Sequence, residues 1–174
     1  MSAPEEFDAF FEWWYDRLVG TLWLYCGDRV VAEDCAQEAL VRVARDWERV
    51  RVMASPGGWV HRVGFNLVSS HFRRRRIERR AAARLRVVSP AVDDGQQVVD
   101  ALVVQRAVAS LSPRQRQAVI LYYFADLPVT EVAEVMEAPA NSVKSWLSRA
   151  RQQLHVVLAG ESDAGPCVED VGVH

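Results

Sequence analysis

The sequence predicts an all-α chain made of two small helical domains joined by a flexible linker, the second carrying a helix-turn-helix. Three observations predict it. Apolar residues recur at three- and four-residue steps through most of the 174 residues, as expected of helices packed by one face. The periodicity lapses over 87–97, VVSPAVDDGQQ, where Pro90, Asp93, Asp94 and Gly95 gather. Residues 111–154 read as helix, helix, short turn, helix, and the last of these ends in basic residues. No segment needs a strand.

Over residues 6–25, Phe7, Phe10, Phe11, Trp14, Leu18 and Leu22 fall on one helical stripe with a heavy aromatic face, and Gly27 can end the helix. Asp28 caps a second helix over 29–47. Its apolar face is Val31, Cys35, Ala36, Ala39, Leu40, Val43 and Trp47; its polar face is Glu33, Asp34, Gln37, Glu38, Arg42 and Arg45. Asp34 and Glu38 stand one turn apart and repel each other, which a cationic partner would relieve. Pro56, Gly57 and Gly58 make 51–58 a loop. A third helix, 59–80, buries Trp59, Val60, Val63, Leu67, Val68 and Phe72 and presents His61, Arg62, Asn66, Ser69, Ser70 and Arg73. Side chains able to read base edges are thus followed at once by arginines able to neutralise phosphates.

In the second half, Ser112 caps a helix with Pro113 in its first turn and Gln115 three residues on, as in a capping box. Val132, Ala133, Val135 and Met136 mark a short amphipathic helix, which Glu137, Ala138 and Pro139 interrupt. A last helix follows over 140–154, with Val143, Leu147, Ala150 and Leu154 inward and Lys144, Ser145, Ser148 and Arg149 facing elsewhere. These signals divide the chain into a helical domain over 1–84, a linker over 85–97, a helix-turn-helix domain over 98–158 and a tail over 159–174 expected to be disordered.

Charge is segregated rather than abundant. The net charge of −2 excludes a uniformly basic nucleic-acid binder. Yet residues 72–86 hold eight arginines against one acid, Glu78, while residues 1–48 hold eleven acids against four arginines. The tail carries Glu161, Asp163, Glu169 and Asp170 with no Lys or Arg. Such a division suits two partners, one polyanionic and one not. Cys26, Cys35 and Cys167 are widely spaced and form no CxxC, so neither a disulfide framework nor a zinc knuckle follows, and a reducing cytoplasm is expected. No secretion signal or membrane span is expected, the longest apolar run, 118–125, being too short. An enzyme is not expected either. His61 and His71 stand too far apart along one helix to share a metal, and no histidine joins Asp34 and Glu38 at di-metal spacing. No cofactor or metal site is expected.

Three stretches carry a family resemblance: GDRVVAEDCAQEALVRVARDW (27–47), PGGWVHRVGFNLVSSHFRRRR (56–76) and LSPRQRQAVILYYFADLPVTEVAEVMEAPANSVKSWLSRAR (111–151). In this order and spacing they resemble the bacterial RNA polymerase sigma factors of the extracytoplasmic-function class, the minimal two-domain type. The resemblance implies that Asp34, Gln37, Glu38 and Arg42 dock on the coiled coil of the largest subunit of core RNA polymerase. It implies that residues 52–58, Ser55 among them, capture a base flipped from the non-template strand of the minus-ten element. His61, Arg62, Asn66, Ser69 and Ser70 would contact the upstream part of that element, and Arg73, Arg74, Arg75 and Arg76 would hold phosphates. In the second domain Asn141, Ser142, Lys144, Ser145, Ser148 and Arg149 would read the minus-thirty-five element, with Arg114 and Arg116 near the DNA backbone. Promoter DNA and core polymerase are the implied partners, together with an anti-sigma protein; no membrane is.

The chain departs from the family pattern in three places. Glu137 stands where a turn glycine is usual, which strains or lengthens the turn. Trp146 replaces an arginine and either packs on the first helix of its domain or touches DNA. Asn141 replaces a glycine and adds an amide near bases or phosphate. The rival reading is a helix-turn-helix regulator that binds duplex DNA as a homodimer; it explains 111–154 but leaves the arginine run without a task.

Overall fold

A computed structural model describes residues 3–82 and 99–162. Its helices are α1 (Ala3–Cys26), α2 (Arg29–Arg45), α3 (Trp47–Val50), α4 (Pro56–Ala82), α5 (Val99–Ala109), α6 (Pro113–Val119), α7 (Val129–Val135) and α8 (Ala140–Ser162), with a π-helical segment, Ile120–Phe124, continuing α6. No strand occurs among the described residues. The linker expected over 85–97 lies outside the described residues, as does the tail from 163 onward. Residues 159–162, expected in a disordered tail, instead extend α8.

The first three-helix pack, α1, α2 and α4, forms around Leu18, Leu22, Leu40, Val60, Phe65 and Val68, all at most 1% exposed. Burying each of these large side chains is worth roughly 1.5–3 kcal/mol. Gly27, in the left-handed region at φ 72°, ends α1, and its N–H donates to the Trp23 carbonyl at 2.7 Å. Asp28 caps α2 by accepting from the Val31 N–H at 3.1 Å. Gly64 lets α4 cross α1 closely, since a Cβ there would lie 3.2 Å from Cδ1 of both Leu18 and Leu22. The aromatic face of α1 closes on α3: Phe7 and Phe10 lie 5.5 and 5.2 Å from the Trp47 ring.

Three details differ from the sequence reading. The second helix stops at Arg45; Asp46 breaks it and Trp47 opens the separate α3. Next, α4 begins at Pro56, so Gly57 and Gly58 lie in its first turn and not in a loop. Ser55 Oγ accepts from the Gly58 N–H at 3.1 Å, and a proline is already placed for the first turn. Gly57 is required by space, because a Cβ there would fall 2.3 Å from the Trp14 ring. Finally, Phe72 is 39% exposed, and Phe65 takes the central position.

In the second half, α6 packs on α8 and α7 on α8. Gln115 Oε1 accepts from both the backbone N–H (3.1 Å) and the hydroxyl (2.6 Å) of Ser112, fastening the start of α6. The α7–α8 turn closes with Ala138 N–H on the Ala133 carbonyl at 2.9 Å and Glu137 N–H on the Glu134 carbonyl at 3.2 Å. That is the helix-ending pattern in which glycine normally takes the left-handed position. Here Glu137 takes it, at φ 50°, so the turn is strained and not lengthened. The halves also meet: α4 packs on α7, and α1 on α5 and on the π-helical segment.

Candidate functional site

Three polar faces emerge from these elements. On α2, Asp34, Gln37 and Glu38 are exposed and Arg42 half-buried, while Val31, Cys35, Ala39 and Val43 turn inward. Arg42 Nε donates to Glu38 Oε1 at 2.8 Å, one turn along the helix, which tempers the expected repulsion between Glu38 and Asp34. Val30 and Val41, 64% and 62% exposed, lie on the same stripe at helical spacing. Sequence reading passed over both, although their spacing to Asp34 and Gln37 was there to be seen. The face is therefore an acid stripe between two exposed apolar side chains.

On α4, Arg62, Asn66, Ser69, Ser70 and Arg73 are exposed along one stripe, and Arg74 and Arg76 are exposed beside it; Arg75 is half-buried. His61 is corrected: it is fully buried, so its ring cannot reach a base edge from this fold. The reason is register, because residue 61 shares a face with Phe65 and Val68. His61 Nδ1 bonds the Gly57 carbonyl at 2.9 Å, and its ring meets Trp14 edge-on at 5.5 Å. Burial lowers its pKa to about 4, against the smaller opposing effect of the Gly57 bond. Ser55 is half-buried and its hydroxyl bonds the Glu131 carboxylate of α7; Arg62 pairs with Glu137. Beside this edge an open groove of about 630 Å³ is lined by Phe10, Trp13, Trp14, Trp47, Arg51 and Pro56.

On α8, Asn141, Lys144, Ser145, Ser148 and Arg149 are exposed and Ser142 half-buried, while Val143, Leu147 and Ala150 form the core side. Trp146 is half-buried and packed against the core, with the Arg114 guanidinium of α6 over its ring at 5.3 Å. Arg114 itself is exposed. Arg116 is the second correction. It is half-buried and donates to the carbonyls of Tyr25 (2.9 Å), Ala109 (2.5 Å) and Leu111 (3.2 Å). Its guanidinium is spent on the carboxyl ends of α1 and α5, where the helix dipole favours a cation, and does not reach toward a DNA backbone.

Cys26 and Cys35 are quiet thiols. Burial pushes Cys26 up to about 11 and also raises Cys35, so neither is a ready thiolate. Among the described residues no group of His, Cys, Asp and Glu could hold a metal ion, and no helix is long and apolar enough to cross a membrane.

Residues 10–77 match the family model for sigma-70 region 2, and residues 101–154 match that for sigma-70 region 4. The chain belongs to the extracytoplasmic-function family of sigma factors. Relatives of this sigma factor include the RNA polymerase sigma-E factor of Streptomyces coelicolor, 28% identical over 158 residues that span 91% of this chain and 89% of that one. The ECF RNA polymerase sigma factor SigM of Mycobacterium tuberculosis is 32% identical over 127 residues, 73% of this chain and 64% of its own. Among solved structures, the fold resembles the sigma factor RpoE of Bartonella quintana, solved in complex with the anti-sigma factor NepR, at TM-score 0.76 and 22% identity over 89% of this chain and 98% of that one. It also resembles CnrH, solved with the cytosolic domain of CnrY, at TM-score 0.63 and 19% identity, covering 90% of each. The region 2 match contains α2 and the α4 stripe; the region 4 match contains the turn at Glu137 and the exposed face of α8.

Proposed function

We propose that this sigma factor binds core RNA polymerase through the exposed stripe of α2 and directs it to promoters by reading two DNA elements. The observation that carries the proposal is the conjunction of an acid stripe on α2, a polar and arginine stripe on α4 and a polar and basic stripe on α8, all on one chain. Asp34, Gln37 and Glu38, with Arg42, offer carboxylates and an amide to a cationic helix pair, and Val30 and Val41 add apolar contact at both ends. The edge formed by Ser55, Arg62, Asn66, Ser69 and Ser70 reads the minus-ten element once the strands part, and Arg73 to Arg76 hold its phosphates. Capturing an extruded base repays part of the unstacking energy, a few kcal/mol. On α8, Lys144 and Arg149 supply the strongest base and phosphate contacts for the minus-thirty-five element. Ser145 and Ser148 discriminate weakly, and Asn141 adds an amide.

The family's members initiate transcription without catalysis of their own, and the reading gives this chain no catalytic residue. It places the protein in the cytoplasm with polymerase. An anti-sigma protein is a further partner, by analogy with the NepR complex. The homodimeric regulator is not favoured, since it gives the α2 stripe and the arginines of α4 no work. Reconstituted transcription tests the proposal: core polymerase with this chain should initiate from specific genomic fragments that core alone ignores. A chain that footprints duplex DNA unaided and never changes initiation would overturn it.

A further inference from the structure

We infer that Trp146 is a positioning residue for DNA recognition: its ring holds the Arg114 guanidinium of α6 ready to take a backbone phosphate beside the stretch that α8 reads. The inference rests on the sigma-factor reading and deepens its minus-thirty-five site. Arg114 is exposed, forms no ion pair among the described residues, and stands over the Trp146 ring at 5.3 Å from the centroid. Arg116, two residues on, is spent on three backbone carbonyls, so Arg114 is the arginine of α6 left for an outside anion.

Both helices are fastened where the ring and the cation meet. Trp146 falls one turn after Ser142 and one turn before Arg149, on the flank of α8 between its core side, Val143, Leu147 and Ala150, and its exposed face. Two turns further along that flank, Gln153 Nε2 donates to the Ser110 carbonyl at 3.0 Å, which ties α8 to the chain just ahead of α6. The capping box of Ser112 and Gln115 then fixes where α6 begins, and Arg114 lies in that first turn.

Alone, α6 disfavours an arginine there, because the first turn of a helix is the positive end of its dipole. The face of an indole offsets that opposition. It also leaves the N–H groups free. A carboxylate partner would occupy the donors of the guanidinium, whereas a ring lets the fork donate to phosphate oxygens. Holding the long side chain in advance removes part of the ordering cost that binding would otherwise carry. Arg149, exposed and likewise without an ion pair among the described residues, gives the same flank a second cation. Thus α6 and α8 each present an arginine beside one indole, and a polyanion is the ligand that fits them.

The test measures, by anisotropy across a salt series, how tightly the holoenzyme binds a duplex from which the wild type initiates. Wild type, Trp146→Leu, Arg114→Ala and the double variant form a cycle. Trp146→Leu should weaken binding about two- to fivefold, the factor that a cation–π contact at an exposed site supplies. Arg114→Ala should weaken it at least as much and lower the logarithmic salt slope by about 1. In the Arg114→Ala background, Trp146→Leu should change nothing further. Trp146→Phe keeps an aromatic face and should restore affinity to within about twofold of wild type. Full affinity in Trp146→Leu would overturn the inference. So would a loss that is equal with and without Arg114, because the ring would then act by packing or by touching DNA itself. If Trp146→Leu unfolds at the assay temperature, Arg114→Lys decides: it keeps the charge at an exposed position and loses the planar stack. It should bind more weakly at an unchanged salt slope, and wild-type affinity there would overturn the inference. A wild-type chain that initiates from no template with core polymerase sinks the sigma reading and this inference with it, whereas normal initiation with an additive cycle sinks the positioning role alone.

Discussion

His61 and Arg116 both carry the chemistry of DNA contact, and both are turned inward by their neighbours. The His61 ring is neutral in the fold, with a pKa of about 4 against an ordinary 6.5. Above pH 6.5 it is neutral folded and unfolded, and full stability is present. As pH falls from 6.5 toward 4 the unfolded chain takes up a proton that the folded ring refuses, so stability falls, by on the order of 3 kcal/mol in all. Urea midpoints between pH 7 and 4.5 should therefore flatten in His61→Gln; an unchanged slope would mean other groups govern the acid limb. Arg116→Ala should cost roughly 2–4 kcal/mol because it strips three carbonyls of a charged donor. Thermal unfolding with transcription assayed below the transition separates that loss from a DNA-contact defect. Asp34, Asn66 and Lys144 were correctly placed outward from spacing alone. His61 was not, because Phe65 was overlooked as the centre of its helix face.

At the scale of elements, each stripe can be tested against its own core. Charge reversal, Asp34→Lys with Glu38→Lys, removes the 2.8 Å pair with Arg42 at a cost of only about 0.5 kcal/mol to the fold. It should reduce co-purification with core polymerase severalfold while the thermal midpoint stays near wild type. On α8, Lys144→Ala with Arg149→Ala should weaken promoter binding by the holoenzyme and lower its logarithmic salt slope by about 2, one for each lost phosphate or base cation. Core binding measured in parallel should survive. Gly57→Ala places a methyl against Trp14 and should destabilise the start of α4 by roughly 1–3 kcal/mol, read by denaturant unfolding. The sequence marked Pro56-Gly57-Gly58 as a break, yet Ser55 and Pro56 already formed a helix start. The glycines answer to an aromatic ring in α1, a long-range cause that local turn statistics do not contain.

For the molecule as a whole, neither face proposed to read DNA is uniformly basic, and the net charge is −2. Two modest contacts become useful when polymerase holds both at high effective concentration. The isolated chain should accordingly bind promoter duplex weakly at physiological salt, and the affinity should fall steeply as salt rises. Nanomolar binding by the free chain, measured by anisotropy, would contradict this arithmetic. Apolar periodicity, caps and segregated charge were enough to determine that the fold is all-α, that it falls into two helical domains, and that α2, α4 and α8 each carry a distinct polar face, because each of these is a short-range property of spacing. Which of those polar residues face solvent, and which face the other half of the chain, was decided only by tertiary packing. The contacts Ser55–Glu131, Arg62–Glu137 and Arg116–Tyr25 join residues more than 70 positions apart, and no local pattern encodes a meeting at that distance.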